Sequence, residues 1–146
     1  MTEEIRVILA DDHPTMRKGL RLSLEEDPGL KIVGEASDGE AALAFVAEHR
    51  TGVRQHEPCV ILLDLHLPKY NGIEVLTAIR QEPILKHIHV VVLTSDASPA
   101  EQIQVIELGG ICCVKPSDLD AIKSLAEEIM ALCKGLAEGI ATSRLS

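Results

Sequence analysis

The sequence predicts a doubly wound α/β fold, with one parallel sheet between two layers of helices. Short apolar runs alternate five times with segments of helical periodicity along the 146 residues. The strand-like runs are continuously apolar rather than alternating, which indicates strands buried on both faces, as in a parallel sheet. Connections between successive segments are short, as expected for repeated βα units.

The first unit combines a strand over about residues 5–10 with a helix that Pro14 opens. Proline suits the first helical turn because its missing N–H has no partner there. Apolar residues of this helix recur four residues apart at Met16, Leu20 and Leu24. The turn-forming residues 27–29 (Asp-Pro-Gly) end the unit.

The second and third units follow the same pattern. A strand over residues 30–36 leads through Ser37-Asp38-Gly39-Glu40 into a helix carrying Ala42, Phe45 and Val46. Residues 50–58 are polar and lack periodicity, so an exposed loop is expected. A third strand ends at Asp64, and after a turn over residues 68–72 a helix carries Ile73, Leu76 and Ile79.

The last two units have clear helix starts. A strand over about residues 88–93 precedes Ser98 and Pro99, a capping residue and a favoured first helical residue. That helix ends near Gly109-Gly110, and a fifth strand covers residues 111–114. After Ser117-Asp118, the last helix has apolar residues at three- and four-residue steps: Leu119, Ile122, Leu125, Ile129, Cys133 and Leu136. We expect one domain over residues 1–138 and a frayed tail over 139–146.

Composition excludes several classes of protein. The formal net charge of −9 argues against sequence-independent nucleic-acid binding, which depends on lysine and arginine. No apolar run approaches the roughly 18 residues that cross a bilayer, and the acidic N-terminus does not resemble a signal peptide. A cytoplasmic protein without a membrane partner is therefore expected.

The cysteines and histidines do not predict a metal site of their own. The four cysteines (Cys59, Cys112, Cys113 and Cys133) lack CxxC spacing, and adjacent residues on a strand point to opposite faces. Reduced core cysteines are the favoured interpretation. His87 and His89 could share a strand face, but a strand edge is the simpler interpretation.

Polar residues end four of the predicted strands: Asp11-Asp12, Asp64, Thr94 and Lys115. In doubly wound sheets, ligands bind outside the carboxyl ends of the strands, where the winding direction reverses. With the strand order 2-1-3-4-5, that point lies between strands one and three, which end in Asp11-Asp12 and Asp64. The sequence therefore predicts one site along this edge.

Three neighbouring carboxylates repel one another and need a cation or raised pKa values. Mg²⁺ prefers oxygen ligands and commonly binds one or two carboxylates together with a phosphate oxygen. Phosphoryl transfer needs mainly positioning and charge stabilisation, to which Thr94 and Lys115 would contribute. Asp11 could instead only cap the first helix, Thr94 could be an ordinary strand-end hydroxyl, and Lys115 could be a solvated surface lysine. Gly39 and Gly72 are most simply turn glycines.

These motifs resemble the response-regulator receiver domain of two-component signalling over about residues 5–134. The matching segments are Ile8-Leu9-Ala10-Asp11-Asp12, Leu62-Leu63-Asp64-Leu65-His66-Leu67-Pro68, Gly72, Leu93-Thr94-Ser95 and Val114-Lys115-Pro116. The resemblance implies a five-stranded receiver fold and a phosphoprotein whose Asp64 forms an acyl phosphate with a phosphohistidine donor. The donor would be a sensor histidine kinase or a phosphotransfer protein.

The resemblance also implies a role for each neighbouring residue. Asp12 would ligate Mg²⁺ directly, Asp11 through water, and the backbone carbonyl of His66 would complete the protein ligands. Thr94 and Lys115 would contact the phosphoryl oxygens, and the Lys115–Pro116 peptide would be cis. The side chains of His66 and Asp96 would flank the acyl phosphate and tune its lifetime. The chain would catalyse only its own phosphorylation and dephosphorylation.

One position departs from the family pattern. Receivers usually carry tyrosine or phenylalanine three residues before the lysine, and here that switch position holds Cys112. The segment over residues 109–115 is also about one residue shorter than usual. We expect output through the fourth helix, fifth strand and fifth helix without rotation of an aromatic ring.

Finer similarities suggest partners. The segments His13-Pro14-Thr15-Met16-Arg17 and Val33-Gly34-Glu35-Ala36 resemble receivers of DNA-binding regulators, but no helix-turn-helix follows. The loop over residues 50–58, Leu67-Pro68-Lys69 and Val90-Val91-Val92-Leu93-Thr94 resemble single-domain regulators served by phytochrome-type kinases. We expect a stand-alone receiver that signals by changed partner affinity, including self-association near the last helix.

Three alternatives are less favoured. A hydrolase with Asp64 as nucleophile would want a second carboxylate at the position of His66. A flavin-binding protein would need a Ser/Thr/Gly-rich phosphate loop where Asp11-Asp12-His13-Pro14 stands. An unphosphorylated protein-binding receiver would not need the acidic pair, threonine and lysine together.

Overall fold

The computed structural model describes residues 5–50, 60–83 and 88–133. Within these residues the strands are β1 (Ile5–Ala10), β2 (Leu30–Ala36), β3 (Val60–Asp64), β4 (His89–Thr94) and β5 (Ile111–Val114). The helices are α1 (Pro14–Leu24), α2 (Gly39–Arg50), α3 (Gly72–Gln81), α4 (Pro99–Glu107) and α5 (Leu119–Cys133). All neighbouring strands pair in parallel, in the order β2-β1-β3-β4-β5. The predicted doubly wound fold and its strand order are confirmed.

The sheet is covered on both faces by apolar helices. Side chains of α1 and α5 pack on one face, where the core contains Leu20, Leu24 and Ile129. Side chains of α2, α3 and α4 pack on the other, around Leu76 and Val105. Strand β3 lies between β1 and β4, and all of its residues are buried. Its continuous apolar sequence therefore reflects burial on both faces.

Local capping determines where two of the helices begin. Ser98 caps α4 as predicted: its hydroxyl accepts a hydrogen bond from the Glu101 backbone N–H, and the Glu101 carboxylate accepts one from the Ser98 backbone N–H. Asn71 and Glu74 form the same reciprocal pair at the start of α3. Because α3 begins immediately after the loop that follows β3, this cap also fixes the end of that loop.

Several expectations differ from the structure or lie outside the described residues. The fourth strand begins at His89 rather than Ile88. The expected cis peptide before Pro116 is wrong, since no peptide bond between described residues is cis. The trans form of an X–Pro bond is intrinsically favoured by about 0.5–1 kcal/mol, and the surrounding fold accommodates it. The loop predicted over residues 50–58 starts one residue too early, because Arg50 is the last residue of α2. The rest of that loop and the tail over 139–146 lie outside the described ranges. No described helix has the length and apolar character required to cross a membrane.

Candidate functional site

The carboxyl end of the sheet brings together the acidic residues predicted from the sequence. Asp11 follows β1 and Asp64 ends β3, and only 2% and 4% of their surfaces are exposed. Asp12 lies beside them and is about one-third exposed. Possible metal-ligating atoms of Asp11, Asp12, His13 and Asp64 all lie within 4.8 Å of one another. The described residues thus form a compact acidic cluster between β1 and β3, where the winding direction reverses.

Lys115 lies between the two most buried carboxylates. Its Nζ donates a hydrogen bond to Asp64 Oδ2 at 3.0 Å and lies 3.1 Å from Asp11 Oδ2. Burial lowers the pKa of Lys115, but the hydrogen bond to Asp64 and the negative charges of Asp64 and Asp11 outweigh it, so the pKa is raised. The lysine therefore stays protonated and compensates part of the acidic charge.

The backbone after β3 positions Asp64. The His66 N–H donates to Asp64 Oδ1 at 3.1 Å, so each carboxylate oxygen has a donor. The Gly72 N–H donates to the Leu65 carbonyl at 2.8 Å, which closes the loop. A Cβ atom at Gly72 would lie 2.8 Å from the Asp64 carbonyl oxygen. Glycine is therefore required there by close backbone approach.

Arg17 supports the acidic pair from α1. Its Nη1 donates to the Asp11 carbonyl oxygen at 2.7 Å, and its Nε donates to Glu35 at 2.9 Å. Arg21 also binds Glu35, on the same side of α1. These contacts connect the end of β1 to α1 and to Glu35 of β2. The sequence analysis did not predict this role for Arg17.

The acidic cluster fits a divalent cation. Asp11 Oδ2 and Asp12 Oδ1 are buried and accept no hydrogen bond from the described residues, although Lys115 and His13 nitrogens lie 3.1 and 3.0 Å away at ion-pair distance. Three carboxylates and one ammonium leave a formal charge of −2, counting histidine as neutral. A buried, unsatisfied carboxylate oxygen is unfavourable unless a cation compensates it. Asp11, Asp12 and Asp64 could hold Mg²⁺ through oxygen atoms.

Thr94, His66 and Asp96 occupy the neighbouring rim. Thr94 ends β4, is 6% exposed, and its hydroxyl oxygen accepts a hydrogen bond from the Asp96 N–H at 3.2 Å. His66 Nε2 lies 3.1 Å from Asp96 Oδ1, although both side chains are more than half exposed. The two predicted tuning residues therefore contact each other across the β3–α3 and β4–α4 loops.

Cys112 and Cys113 point to opposite sides of β5, as predicted. Cys112 packs against the core beneath α2, α3 and α4, and Cys113 against the core beneath α1 and α5. Cys112 lines a cavity of about 220 Å³ together with Thr94 and Gln102. Burial raises the pKa of its thiol, and the nearby charge of Glu101 raises it further. The thiol form therefore predominates at this position.

His13 is a member of the cluster that sequence analysis did not assign to the site. Its Nδ1 lies 3.0 Å from Asp12 Oδ1 and 3.4 Å from Asp11 Oδ1. The adjacency of His13 to the two aspartates was the only sequence signal, because an exposed residue before a helix has no pattern that specifies its side-chain direction.

Comparison with known proteins gives consistent matches. The profile described as the response regulator receiver domain matches residues 7–127. The chain is 36% identical to the nitrate/nitrite response regulator protein NarP of Escherichia coli (strain K12), over 89% of this chain and 55% of NarP. It spans between about a quarter and just over half the length of the curated relatives it matches.

Two solved structures show the same similarity. The Mn²⁺-bound form of response regulator Rcp1 has a TM-score of 0.71 and 31% identity, over 86% of this chain and 91% of that one. The phosphorylated cyanobacterial phytochrome response regulator RcpA has a TM-score of 0.76 and 26% identity, over 92% of this chain and 96% of that one.

Proposed function

This chain belongs to the response regulator receiver domain family, and on that basis we propose that Asp64 accepts a phosphoryl group in a two-component phosphorelay. The observation that carries this assignment is the position of Lys115, whose ammonium group lies 3.0 Å from Asp64 and 3.1 Å from Asp11. A buried carboxylate beside a fixed cation and further acidic groups is suited to phosphoryl transfer.

The proposed transfer uses Asp64 as nucleophile. A carboxylate oxygen of Asp64 forms a bond to phosphorus as the bond from phosphorus to the donor histidine nitrogen breaks. Lys115 compensates negative charge on the phosphoryl oxygens, and the Thr94 hydroxyl donates to one of them. Asp11, Asp12 and Asp64, with the His66 carbonyl, would hold Mg²⁺, which supplies further charge compensation when bound. The Mn²⁺-bound form of the similar regulator Rcp1 supports a divalent cation here.

His66 and Asp96 are proposed to tune the lifetime of the acyl phosphate. Their 3.1 Å contact joins the loops that follow β3 and β4. These loops follow directly after Asp64 and Thr94, the last residues of β3 and β4. A water molecule approaching the phosphorylated Asp64 would meet this pair, so the pair is expected to limit hydrolysis.

The proposed output surface is formed by α4, β5 and α5. Large apolar side chains are exposed on these three elements: Ile103, Ile106, Val114 and Leu119. Burial of such side chains in a second copy or another protein would provide binding energy. We propose that phosphorylation changes the affinity of this surface for a partner, including a second copy of the chain.

The proposed phosphodonor is a sensor histidine kinase or phosphotransfer protein. Similarity to the phytochrome response regulator RcpA supports a phytochrome-type kinase as one such donor. The formal net charge of −9 supports a protein partner over nucleic acid. A single receiver domain over residues 1–138, a cytoplasmic location and the absence of a membrane partner stay predictions.

Incubation with acetyl phosphate and Mg²⁺, followed by intact-mass measurement, tests the proposal. We expect a single phosphate adduct that hydroxylamine removes and that Asp64→Asn abolishes. An adduct that survives in the Asp64→Asn variant would show that another residue is the acceptor. Sustained multiple-turnover hydrolysis of phosphate esters would instead indicate a hydrolase.

A further inference from the structure

His13 has an unusual position between the acidic cluster and α1. It is the residue before Pro14 and occupies the capping position of α1, with extended backbone angles of φ −97° and ψ 108°. Its side chain makes no capping hydrogen bond to the described residues of that helix. The ring instead faces the acidic pair, with Nδ1 3.0 Å from Asp12 Oδ1 and 3.4 Å from Asp11 Oδ1.

The backbone of His13 is fixed on both sides. Its N–H donates to Asp11 Oδ1 at 2.7 Å, and its carbonyl oxygen accepts from the Arg17 N–H at 2.9 Å. Arg17 in turn donates to the Asp11 carbonyl oxygen. These bonds fix the backbone of His13 beside the carboxylates, while 66% of its side chain is exposed.

The spacing of these atoms fits neighbouring positions around one metal ion. Ligands about 2.1 Å from an octahedral ion lie about 3.0 Å apart on adjacent positions and about 4.2 Å apart on opposite ones. The 3.0 Å separation of His13 Nδ1 and Asp12 Oδ1 matches adjacent positions. The ligand atoms of the whole cluster lie within 4.8 Å, and buried Asp11 Oδ2 and Asp12 Oδ1 accept no hydrogen bond from the described residues.

We propose that the His13 imidazole is a ligand to the divalent cation of this site, so that the chain binds a first-row transition ion in preference to Mg²⁺. The inference rests on the proposed function for the presence of a cation beside Asp64. Imidazole nitrogen favours transition ions, whereas carboxylate, carbonyl and water oxygens suit Mg²⁺. A site with three carboxylates and one imidazole therefore gains affinity for ions such as Co²⁺ and Ni²⁺, and gains little for Mg²⁺.

Calorimetric titration with Co²⁺ and with Mg²⁺ tests this preference in the full chain. We expect His13→Ala to weaken Co²⁺ binding by about tenfold or more, since even a residue that only supports a ligand commonly contributes that much. Mg²⁺ affinity should change by less than about threefold. His89→Ala is the matched control, because it removes an imidazole at the amino end of β4, on the opposite edge of the sheet from the site. It should leave the ratio of the two affinities unchanged.

Electron spin-echo spectroscopy with Mn²⁺ provides a direct measurement of the ligand. Wild type and His89→Ala should show modulation from a bound imidazole nitrogen, and His13→Ala and His13→Gln should lack it. Equal Co²⁺ affinities in wild type and His13→Ala, or nitrogen modulation that survives in His13→Ala, would overturn the inference. Circular dichroism of each variant identifies any loss of fold.

The two proposals can fail separately. If nitrogen modulation depends on His13 but acetyl phosphate forms no adduct on Asp64, the phosphoacceptor proposal is wrong and the ligand assignment stands. If Asp64 is phosphorylated but metal preference is the same in wild type and His13→Ala, the ligand assignment is wrong and the phosphoacceptor proposal stands.

Discussion

The guanidinium group of Arg80 lies against the end of α4, where its Nε donates a hydrogen bond to the Leu108 carbonyl oxygen at 2.7 Å. Two further nitrogen atoms donate to the carbonyl oxygens of Gly109, at 3.0 Å, and Ile88, at 2.9 Å. Burial lowers the pKa of Arg80, which nevertheless stays protonated because arginine begins far above neutrality. One side chain from α3 thus connects the α4–β5 turn with the residue before β4.

Replacement of Arg80 should destabilise the fold. Arg80→Met removes three hydrogen bonds from a charged donor, and we expect the free energy of unfolding in urea to fall by about 2–4 kcal/mol. Arg80→Lys should retain more of the free energy of unfolding than Arg80→Met, but less than wild type. An ammonium group cannot reproduce the planar geometry of three divergent donors. The control is Arg21→Met, which removes exposed ion pairs and should have a smaller effect. Equal losses in the two methionine variants would contradict this role of Arg80.

Gly39 offers a second test of the loops around the site. A Cβ atom at Gly39 would lie 1.9 Å from the Tyr70 carbonyl oxygen, and the Gly39 N–H donates to the Pro68 carbonyl at 3.0 Å. Gly39→Ala must therefore separate the start of α2 from the loop that follows Asp64. We expect a loss of about 2–4 kcal/mol in urea unfolding and slower phosphorylation by acetyl phosphate.

Gly19 provides the matched control for this substitution. It lies within α1, and a Cβ atom there would have no neighbour within 4 Å. Gly19→Ala should stabilise the protein by about 0.5–1 kcal/mol because alanine is the better helix former. If both alanine variants changed stability in the same direction, the steric explanation for Gly39 would be wrong.

The strands and the acidic rim could be predicted from sequence because both follow from local pattern and one topological rule. The continuous apolar run over Val60–Leu63 indicates a strand buried on both faces, and parallel strands present their carboxyl ends at one edge. The contact of His66 with Asp96 could not be predicted from local pattern, because the two residues lie in different loops. The Lys115–Pro116 isomer also could not be predicted, since the two forms differ little in intrinsic energy.

Lys115 should make stability depend on pH at the alkaline end. Its pKa is raised in the folded protein, so the folded state retains a proton that the unfolded chain loses first. The stabilisation is complete below the pKa of an unpaired lysine and is lost as pH rises through the higher folded value, above about pH 10. Urea unfolding at a series of pH values in this range measures the effect. The free energy of unfolding should fall more steeply with pH for wild type than for Lys115→Met.

The exposed residue Lys18 provides the control for that measurement. Lys18→Met should retain the wild-type dependence on pH, because the variant leaves the contacts of Lys115 with Asp64 and Asp11 intact. Other groups that titrate in this range contribute equally to all three proteins and cancel in the comparison. Parallel curves for wild type and Lys115→Met would contradict the assigned ion pairs.

The contact between His66 and Asp96 predicts coupled effects on dephosphorylation. We expect His66→Ala and Asp96→Ala each to shorten the half-life of the acyl phosphate several-fold, because either change opens the approach to Asp64. The double variant should decay at about the rate of the faster single variant, since the two side chains act as one unit. The decay rate of the phosphorylated protein is measured by intact mass over time. If the effects of the two substitutions on this rate multiply in the double variant, the two side chains act independently.

With Cys112 at the switch position, we expect phosphorylation to reach the output surface without rotation of an aromatic ring. Cys112 lies opposite Val92 in the sheet and lines the cavity of about 220 Å³ beside Thr94. The two aromatic residues of the chain lie elsewhere: Phe45 packs against Gly34 of β2, and Tyr70 follows β3. A change at Thr94 must therefore reach the output surface through aliphatic side chains and the backbone of α4 and β5.

Nuclear magnetic resonance with beryllofluoride and Mg²⁺, which mimic the phosphorylated state, can measure this directly. We expect methyl signals of Ile103, Ile106 and Val114 to shift, while the χ1 rotamers of Phe45 and Tyr70 stay unchanged. Asp64→Asn is the control. Its methyl signals should not shift on addition of beryllofluoride, because the variant lacks the acceptor carboxylate. Rotation of either ring upon beryllofluoride binding would refute a purely aliphatic route from Thr94 to α4, since no other aromatic side chain exists in the sequence.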